Sequence, residues 1–380
     1  MPRPEGATND TNAKTAQLVQ LITEIGPDIP EISRRLGQFK ESVRYRYKEK
    51  ILKRGLAVQA AVDNEKLGLR HVETLVDFSR EFKVYAQSIL TAMSNICYVT
   101  SFEKHFPKGQ YLVGADVPEE FVGQFMDFMD ALRRRGLFAS AEVHVFDWFR
   151  RIPMRAQAYD FDAGRWDFDW TAQKKIDLGL ASYVPSQKTK FDYIDLLLMK
   201  ELYIDASRSL VEISKKLKQN YKVLAWHYKS HVVGRGLIKH YTIRWPGTKY
   251  DSKIERALQR QHRYFWVDVL VRNPSKVERM EMAAKANGLP FLWAEASGKD
   301  YYAQFAFPVD FFTEAMQHLE EILRPASDGA ELYMMDQTNA LAFTISYTLY
   351  DQESKRWTFD QSSLESRFEE LMLKIREKGG

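Results

Sequence analysis

The segment Glu31-Ile-Ser-Arg-Arg-Leu36 decides how this chain is organised, because it returns as Glu212-Ile-Ser-Lys-Lys-Leu217, 181 residues later. Two further blocks keep that spacing: Tyr47-Lys48 with Tyr228-Lys229, and Arg54-Gly-Leu56 with Arg235-Gly-Leu237. A later pair, Tyr159-Asp160 and Tyr350-Asp351, lies 191 residues apart, so the second copy contains about ten extra residues between these blocks. Ordered repeats at one long period indicate a duplicated domain and not a solenoid.

We predict two copies, about 1–180 and 181–380, of one two-part unit. The predicted boundaries are a disordered arm at 1–14, a first helix-turn-helix at 15–66, a first ferredoxin-like domain with its tail at 67–180, a second helix-turn-helix at 188–245, a linker at 246–263, a second ferredoxin-like domain with its tail at 264–362, and a C-terminal helix at 363–380.

The front part of each copy shows three short stretches with helical apolar spacing. Gly26-Pro27 ends the first of them, and Gly37 provides the turn before the third. In the first copy the third helix places Val43, Tyr47 and Ile51 on its inner face, one turn apart. In the second copy the corresponding residues are Leu224, Tyr228 and Val232. Three short helices with a tight turn and a following β wing predict a winged helix-turn-helix.

Positive charge is concentrated on these helical units. Residues 31–54 contain nine Lys and Arg against three Glu, and residues 212–244 contain eight against one. Because the whole chain has a net charge of only +4, the remainder is net acidic. This distribution is typical of a protein that binds duplex DNA through two small basic heads.

The back part of each copy alternates short apolar strands with amphipathic helices in the order βαββαβ. Tyr264 to Val271, Phe291 to Ala296, Tyr301 to Phe307 and Gly329 to Met335 are the strands of the second copy. This order is the ferredoxin-like split βαβ. The predicted fold class is therefore α+β, with two copies of a winged helix-turn-helix followed by a ferredoxin-like βαββαβ domain.

The layout resembles the Lrp/AsnC family, the feast/famine regulators, as a tandem form. In the second copy Asp192-x-x-Asp195, Glu212-Ile-Ser214, Gly236-Leu237-Ile238 and Gly298-x-Asp300-Tyr301 are similar to the family's pattern. The first copy departs from the glycine–aspartate turn, with Phe106-Pro-Lys-Gly-Gln110 in its place. The resemblance implies a DNA-binding transcription regulator whose C-terminal domain dimerises and binds a small, amino-acid-like effector near Gly298, Asp300 and Tyr301.

We predict that the third helix of each head enters a DNA major groove. The candidate DNA-binding residues are Arg34, Arg35, Lys40, Ser42, Arg44, Tyr45, Arg46, Lys48, Lys215, Lys216, Tyr221, Lys222, Trp226, His227 and Lys229. The outward residues differ between the copies, for example Arg44 against Ala225. Because base readout depends on the side chains presented, the two heads are expected to prefer different half-sites.

The sequence contains no phosphate-binding loop and no metalloprotease or serine-hydrolase motif. With one cysteine, Cys97, an intramolecular disulfide and a thiolate zinc site are excluded. We therefore expect that the chain is not an enzyme and that it binds no cofactor and no metal. We interpret His227, His231 and His240 as residues that lie on the surface or face DNA. No run of about 18 apolar residues predicts a membrane span, and we expect a cytoplasmic, nucleoid-associated prokaryotic protein.

Several functional alternatives stay open. The alternative to a sequence-specific regulator is an architectural protein that coats DNA without specificity. The heads could instead bind protein in an effector sensor, and RNA binding is a weaker fourth option because βαββαβ is also the order of an RNA-recognition motif. The ferredoxin-like domains are expected to pair either within one chain, as a pseudo-dimer, or between two chains, as a homodimer.

Overall fold

The computed structural model describes residues 5–170, 186–245, 264–326 and 329–379. The predicted linker at 246–263 and the predicted boundary between the copies near residue 180 lie outside these ranges. The first helix begins at Glu5, inside the stretch predicted as a disordered arm.

The two copies contain the same kinds of elements in nearly the same order, as the repeated sequence blocks predict. The first copy comprises α1 (Glu5–Ile25), α2 (Ile29–Leu36), α3 (Lys40–Arg46), β1 (Ala57–Val62), β2 (Leu69–Phe78), α4 (Ala86–Ser94), β3 (Val99–Phe106), β4 (Tyr111–Pro118), α5 (Val122–Arg134), β5 (Phe138–Arg151), β6 (Tyr159–Asp160) and β7 (Arg165–Trp166). The second comprises α6 (Tyr193–Ile204), α7 (Leu210–Leu217), α8 (Tyr221–His227), β8 (Ile238–Arg244), β9 (Tyr264–Val271), α9 (Lys276–Asn287), β10 (Leu292–Gly298), β11 (Tyr301–Pro308), α10 (Phe312–Leu323), β12 (Ala330–Ala342), β13 (Tyr350–Asp351), β14 (Arg356–Trp357) and α11 (Gln361–Gly379).

Each copy opens with a three-helix head that local sequence signals delimit. Ser209 and Glu212 form a reciprocal capping box at the start of α7, and Gly37 ends α2 in the left-handed conformation at φ 62°. The predicted inner face of the third helix is confirmed in the first copy, where Val43 and Ile51 are fully buried. In both copies this helix continues as a π-helical turn, which ends at Ile51 in the first copy.

The wings of the two heads pair with each other. Strand β1 of the first copy runs antiparallel to β8 of the second, with Ala57 opposite Arg244 and Ala61 opposite His240. Helix α1 packs on β8 and α6 packs on β1, so each head rests on the other copy's strand. The two heads are therefore interlocked within one chain.

The eight long strands of both copies close into one antiparallel barrel, in the order β10-β11-β9-β12-β3-β4-β2-β5. The predicted fold class, in which each winged helix-turn-helix is followed by its own ferredoxin-like domain, is therefore wrong. The strand order inside each half is the predicted one, but the two halves share a single continuous sheet. Of the two pairings left open, the described residues show pairing within one chain.

Two unusually long strands explain this correction. Residues 138–145 of β5 pair with β2, and its remainder, from Phe146 to Arg151, pairs with β10 of the other copy. Strand β12 divides in the same way between β9 and β3. An open sheet edge leaves a row of backbone N–H and C=O groups unpaired, and closing the barrel satisfies them. The predicted last strand of the second copy ends at Met335, close to the point where β12 crosses from one half to the other.

The barrel has a pseudo-two-fold axis along its length, because β2 and β9 lie opposite each other and run in the same direction. By strand register, His71 corresponds to Trp266 and Glu73 corresponds to Asp268. The described helices α4, α5, α9 and α10 connect the strands of each half. The middle of the barrel is closed by a small apolar cluster of Leu75, Leu112, Phe146, Leu270, Ala296, Tyr302 and Tyr333.

Buried tryptophans anchor the tail that follows each half. Trp166 Nε1 donates to the Tyr264 hydroxyl at 2.7 Å, and Trp357 Nε1 donates to the carbonyl oxygen of Leu67 at 3.1 Å. Both bonds join a tail to the other copy. Within the described ranges, none of the helices combines the length and the apolar character needed to cross a membrane.

Candidate active site

A cavity of about 250 Å³ lies between one mouth of the barrel and the paired heads. Strands β2, β3, β4, β9 and β11 line its floor, while β1, β8 and α6 close it from the side of the heads. Both copies contribute residues, so the cavity exists because the two halves share one barrel.

His71 lies on the floor of this cavity, between two carboxylates. Its Nδ1 donates to Asp116 Oδ1 and its Nε2 donates to Glu73 Oε1, both at 2.9 Å. Burial alone lowers the pKa of His71, but these hydrogen bonds and the charges of Asp116 and Glu73 outweigh it and raise the pKa to about 9. The ring also stacks on Phe149, with centroids 4.0 Å apart. His71 is therefore a positioned imidazolium at neutral pH.

A second layer of buried polar groups lies below His71. Gln304 Nε2 donates to Glu103 Oε1 at 2.9 Å and to Asp268 Oδ1 at 3.0 Å, and the Tyr302 hydroxyl donates to Asp268 at 2.8 Å. Burial, together with the charge of Asp268, raises the pKa of Glu103 well above its usual range. Asp268 is also 2.9 Å from Nε2 of His105. The raised pKa favours the protonated form of Glu103 beneath the cavity.

The cavity wall combines cations with aromatic rings. Arg151 Nη1 donates to the Tyr203 hydroxyl at 3.0 Å, and its guanidinium lies 5.1 Å from the centre of that ring. Arg244 lines the same side. Trp266 and Trp293 meet edge to face at 5.7 Å and provide an apolar aromatic surface. A planar, carboxylate-bearing compound matches this wall, because Arg recognises carboxylates and aromatic faces stack on flat ligands.

The floor could also hold a metal ion. Glu103, His105 and Asp268 are buried, and each brings one ligand atom within 4.8 Å of the other two. In the structure they bond to each other and to the Gln304 amide and the Tyr302 hydroxyl. A proton network is the simpler interpretation of this group, because its hydrogen bonds already link the three side chains.

The structure places most predicted DNA-binding residues on the outer faces of the two heads, away from the cavity. Exposed residues are Arg34, Arg35, Lys40, Ser42, Tyr45, Lys48, Lys215, Lys216, Tyr221, Lys222, Trp226 and Lys229, while Arg44 and Arg46 are half-buried. Several of the cations contact neighbouring acids, as Arg44 does with Glu41 and Lys216 with Glu201.

The exception is His227, which is buried. The expectation that His227 and His231 lie on the surface is wrong, because both rings point inward to Asp195. His240 is half-buried, and burial lowers its pKa to about 4.

The predicted effector residues lie at the end of the barrel opposite the cavity. Asp300 accepts hydrogen bonds from His144 Nδ1 at 2.7 Å and from the backbone N–H of Asn273 at 3.0 Å. The Tyr301 hydroxyl donates to Glu295 at 3.1 Å, and Gly298 ends β10. Gly298, Asp300 and Tyr301 are not among the residues that line the cavity.

Sequence reasoning missed the cavity residues, although a signal for them was present. His71 and Glu73 recur two residues apart inside the apolar strand β2, and Glu103 and His105 do so in β3. Alternate residues of a strand share one face, so each pair points to the same side of its sheet. Paired ionisable residues on the inner face of two strands indicate a buried polar site.

Two solved structures of the siroheme decarboxylase NirDL match nearly the whole length of the chain. The first covers 96% of this chain and 99% of that chain, with a TM-score of 0.51 and 11% sequence identity. The second, in complex with an iron-uroporphyrin III analogue, covers 97% and 99%, with a TM-score of 0.50 and 13% identity. The shared feature is the fold.

An AsnC family transcriptional regulator from Agrobacterium tumefaciens matches 35% of this chain and 88% of its own, with a TM-score of 0.26 and 10% identity. No family model and no curated protein matches the sequence.

These comparisons correct the expectation that the chain is not an enzyme. The two NirDL structures, which share its architecture from end to end, are structures of an enzyme. The catalytic motifs that the sequence lacks are local runs of residues, whereas the residues that line the cavity come from ten strands and a helix of both copies.

Proposed function

We propose that this chain is an enzyme that binds an aromatic compound bearing several carboxylates at the mouth of the barrel and replaces one carboxyl group by a proton. The observation that carries the proposal is His71, an imidazolium held by Asp116 and Glu73 on the floor of a cavity. The shared fold with a siroheme decarboxylase supports the choice of reaction.

The reaction balances without a redox partner. The C–C bond to the carboxylate breaks, CO₂ leaves, and the electron pair stays on the ring-borne carbon. That carbon then takes the proton of His71, and His71 is reprotonated from solvent through the carboxylates beside it. General acid catalysis of this kind contributes on the order of 10²–10⁴-fold to rate.

The wall residues determine which compounds fit. Arg151 and Arg244 bind carboxylates that do not react, and the Trp266–Trp293 surface packs against the planar core. A cavity of about 250 Å³ holds one part of a large polycarboxylate, because whole-ligand sites span roughly 300–1,000 Å³. A macrocycle would therefore insert its reacting edge and leave the rest of the ring outside the cavity.

The test uses the tetrapyrroles that the full-length neighbour handles. The purified chain is incubated with siroheme or with iron-uroporphyrin III, and mass spectrometry follows the loss of CO₂. We expect His71→Asn to lower kcat by about 100-fold or more with little change in KM, and Arg151→Ala to raise KM. His318→Gln, on the outer helix α10, is the matched control. Unchanged turnover in His71→Asn, or no loss of CO₂ from either compound, contradicts the proposal.

A second candidate function is DNA binding by the two heads. It is supported by the exposure of Tyr45 and Trp226, which are 67% and 55% accessible among basic residues. Ion pairs such as Arg44–Glu41 lie on the surface, where they stabilise little and are readily exchanged for phosphate contacts. Exposed aromatics beside cations are more than a solvated helix face requires.

Salt-titrated binding to random duplex and to genomic fragments tests this second function and separates a regulator from a nonspecific coat. Arg44→Ala is expected to weaken specific binding by about 1–3 kcal/mol if Arg44 reads guanine. Arg134→Ala, an exposed arginine on α5, is the control. Equal isotherms for both variants at moderate salt argue against the head as the reading surface.

A further inference from the structure

The second head contains a cluster of two aspartates and two histidines that are not among the residues lining the cavity. Asp192 caps α6 and Asp195 lies in its first turn, while His227 ends α8 and His231 lies in the π-helical turn that follows. One ligand atom from each lies within 4.8 Å of all the others.

The spacing of these atoms is that of a small coordination sphere. His227 Nδ1 is 2.9 Å from the Asp195 carboxylate and 3.5 Å from Asp192. His231 Nδ1 is 2.9 Å from Asp195 and 3.9 Å from Asp192. In a tetrahedral site with metal–ligand bonds of about 2.0–2.2 Å, ligand atoms are roughly 3.3–3.5 Å apart. Movements of a few tenths of an ångström would admit an ion.

The surroundings hold the ligands in place. His227 and His231 are four residues apart on one continuous helical segment, so they share a face. Asp195 is fully buried, and a buried carboxylate requires a compensating partner. Trp226 packs edgewise on both imidazole rings, with centroids 4.9 and 4.7 Å away, and covers the cluster on the side of the exposed helix face.

The positions in the first head that correspond to the two histidines carry basic side chains. At the 181-residue spacing, Arg46 and Lys50 stand where the second copy has His227 and His231. Lys50 forms an ion pair of 2.6 Å with Asp162. The second copy has imidazoles at both positions and places the carboxylate of Asp195 against them. The positions of Asp192 and Asp195 carry Thr11 and Lys14 in the first copy, so the carboxylates and the imidazoles occur together in the second head alone.

The geometry points to a binding site for a divalent transition metal in the second head, with Zn²⁺ as the preferred ion. Its ligands are Nδ1 of His227, Nδ1 of His231 and the carboxylates of Asp192 and Asp195. Two imidazoles with two carboxylates suit Zn²⁺ better than Ca²⁺ or Mg²⁺, which take mainly oxygen ligands. The ion would join the start of α6 to the end of α8 and thereby fix the exposed face of that helix. This site is independent of the proposed decarboxylase function.

The test measures metal binding by the full chain after removal of metal with a chelator. Co²⁺ serves as the visible probe, and Zn²⁺ displaces it. We expect one Co²⁺ per chain with the strong visible bands of tetrahedral coordination, and a higher Tm with Zn²⁺. Co²⁺ should also quench the Trp226 part of the tryptophan emission, and this part should be missing in Trp226→Phe.

The matched variants are His227→Gln and His231→Gln, because glutamine can still donate a hydrogen bond to Asp195 and so preserve the fold. Loss of an outer-shell partner costs about 10–100-fold in affinity, so each variant should lose at least about 100-fold. His318→Gln should bind as the parent does. The inference is overturned if the parent binds no stoichiometric Co²⁺, or if both variants bind normally while His105→Gln, in the barrel, does not.

Discussion

Replacing Asp116 by asparagine is expected to lower the pKa of His71 sharply. In the parent chain, burial lowers this pKa, yet the hydrogen bonds that His71 donates to Asp116 and Glu73 bring it from 6.5 to about 9. That net difference corresponds to roughly 3 kcal/mol in favour of the charged ring. The carboxylates must supply more than this, because they also overcome burial. Removing the Asp116 charge should therefore lower the midpoint by roughly one to two pH units.

The assay is an NMR titration of the chain with ¹⁵N-labelled histidine, in which His71→Gln identifies the signal. The sign of the stability effect follows from the raised pKa. The stabilising contribution is fully present below pH 6.5 and is lost as the pH rises to about 9. Denaturant unfolding should accordingly show a smaller loss of stability over this interval in Asp116→Asn than in the parent. Asp147→Asn, which removes an exposed carboxylate, is the control. A parent midpoint at or below 6.5 would refute the reasoning.

Four further predictions concern the barrel, the helices around it and the cavity. Gly298→Ala should destabilise the seam between the two halves by about 1–3 kcal/mol, since the new Cβ would lie 2.9 Å from the carbonyl oxygen of Val145; denaturant unfolding measures this. Gly123→Ala, with open space at its Cβ in α5, should instead stabilise by about 0.5–1 kcal/mol. Burial raises the pKa of the Cys97 thiol, so a thiol reagent should label it only as fast as the chain unfolds, and rapid labelling of the native protein would contradict this. Arg151→Ala should weaken binding of an aromatic carboxylate about tenfold or more, as calorimetry would show, because a charge-assisted hydrogen bond is lost.

The repeated sequence blocks allowed the duplication, the strand order of each half and the inner faces of the third helices to be predicted. These features depend on local periodicity, which a single sequence displays. The closure of the barrel depends on which strand edges meet, and β5 and β12 show no local sign that each crosses between halves. Register across such a seam is determined by three-dimensional packing rather than by neighbours along the chain.

The cavity shows the same limit. His71, Asp116, Arg151 and Trp293 come from different strands, and their meeting point depends on barrel closure. The side chains of His227 and His231 point inward, and the sequence did not indicate this for another reason. Their partner Asp195 lies 32 residues before His227, and helical spacing alone does not show which face of a short helix is covered.

The pseudo-two-fold axis of the barrel has a consequence for how such a cavity can diversify. If two identical chains formed the barrel, every substitution on the floor of the cavity would appear twice. A proton donor and an aromatic residue could then not occupy two equivalent positions. Here His71 faces its counterpart position, Trp266, and both are encoded separately. Because both halves lie in one chain, their residues at the mouth of the barrel can differ. One half can carry a proton donor while the other half carries aromatic residues that contact a ligand, and both are present in a single chain.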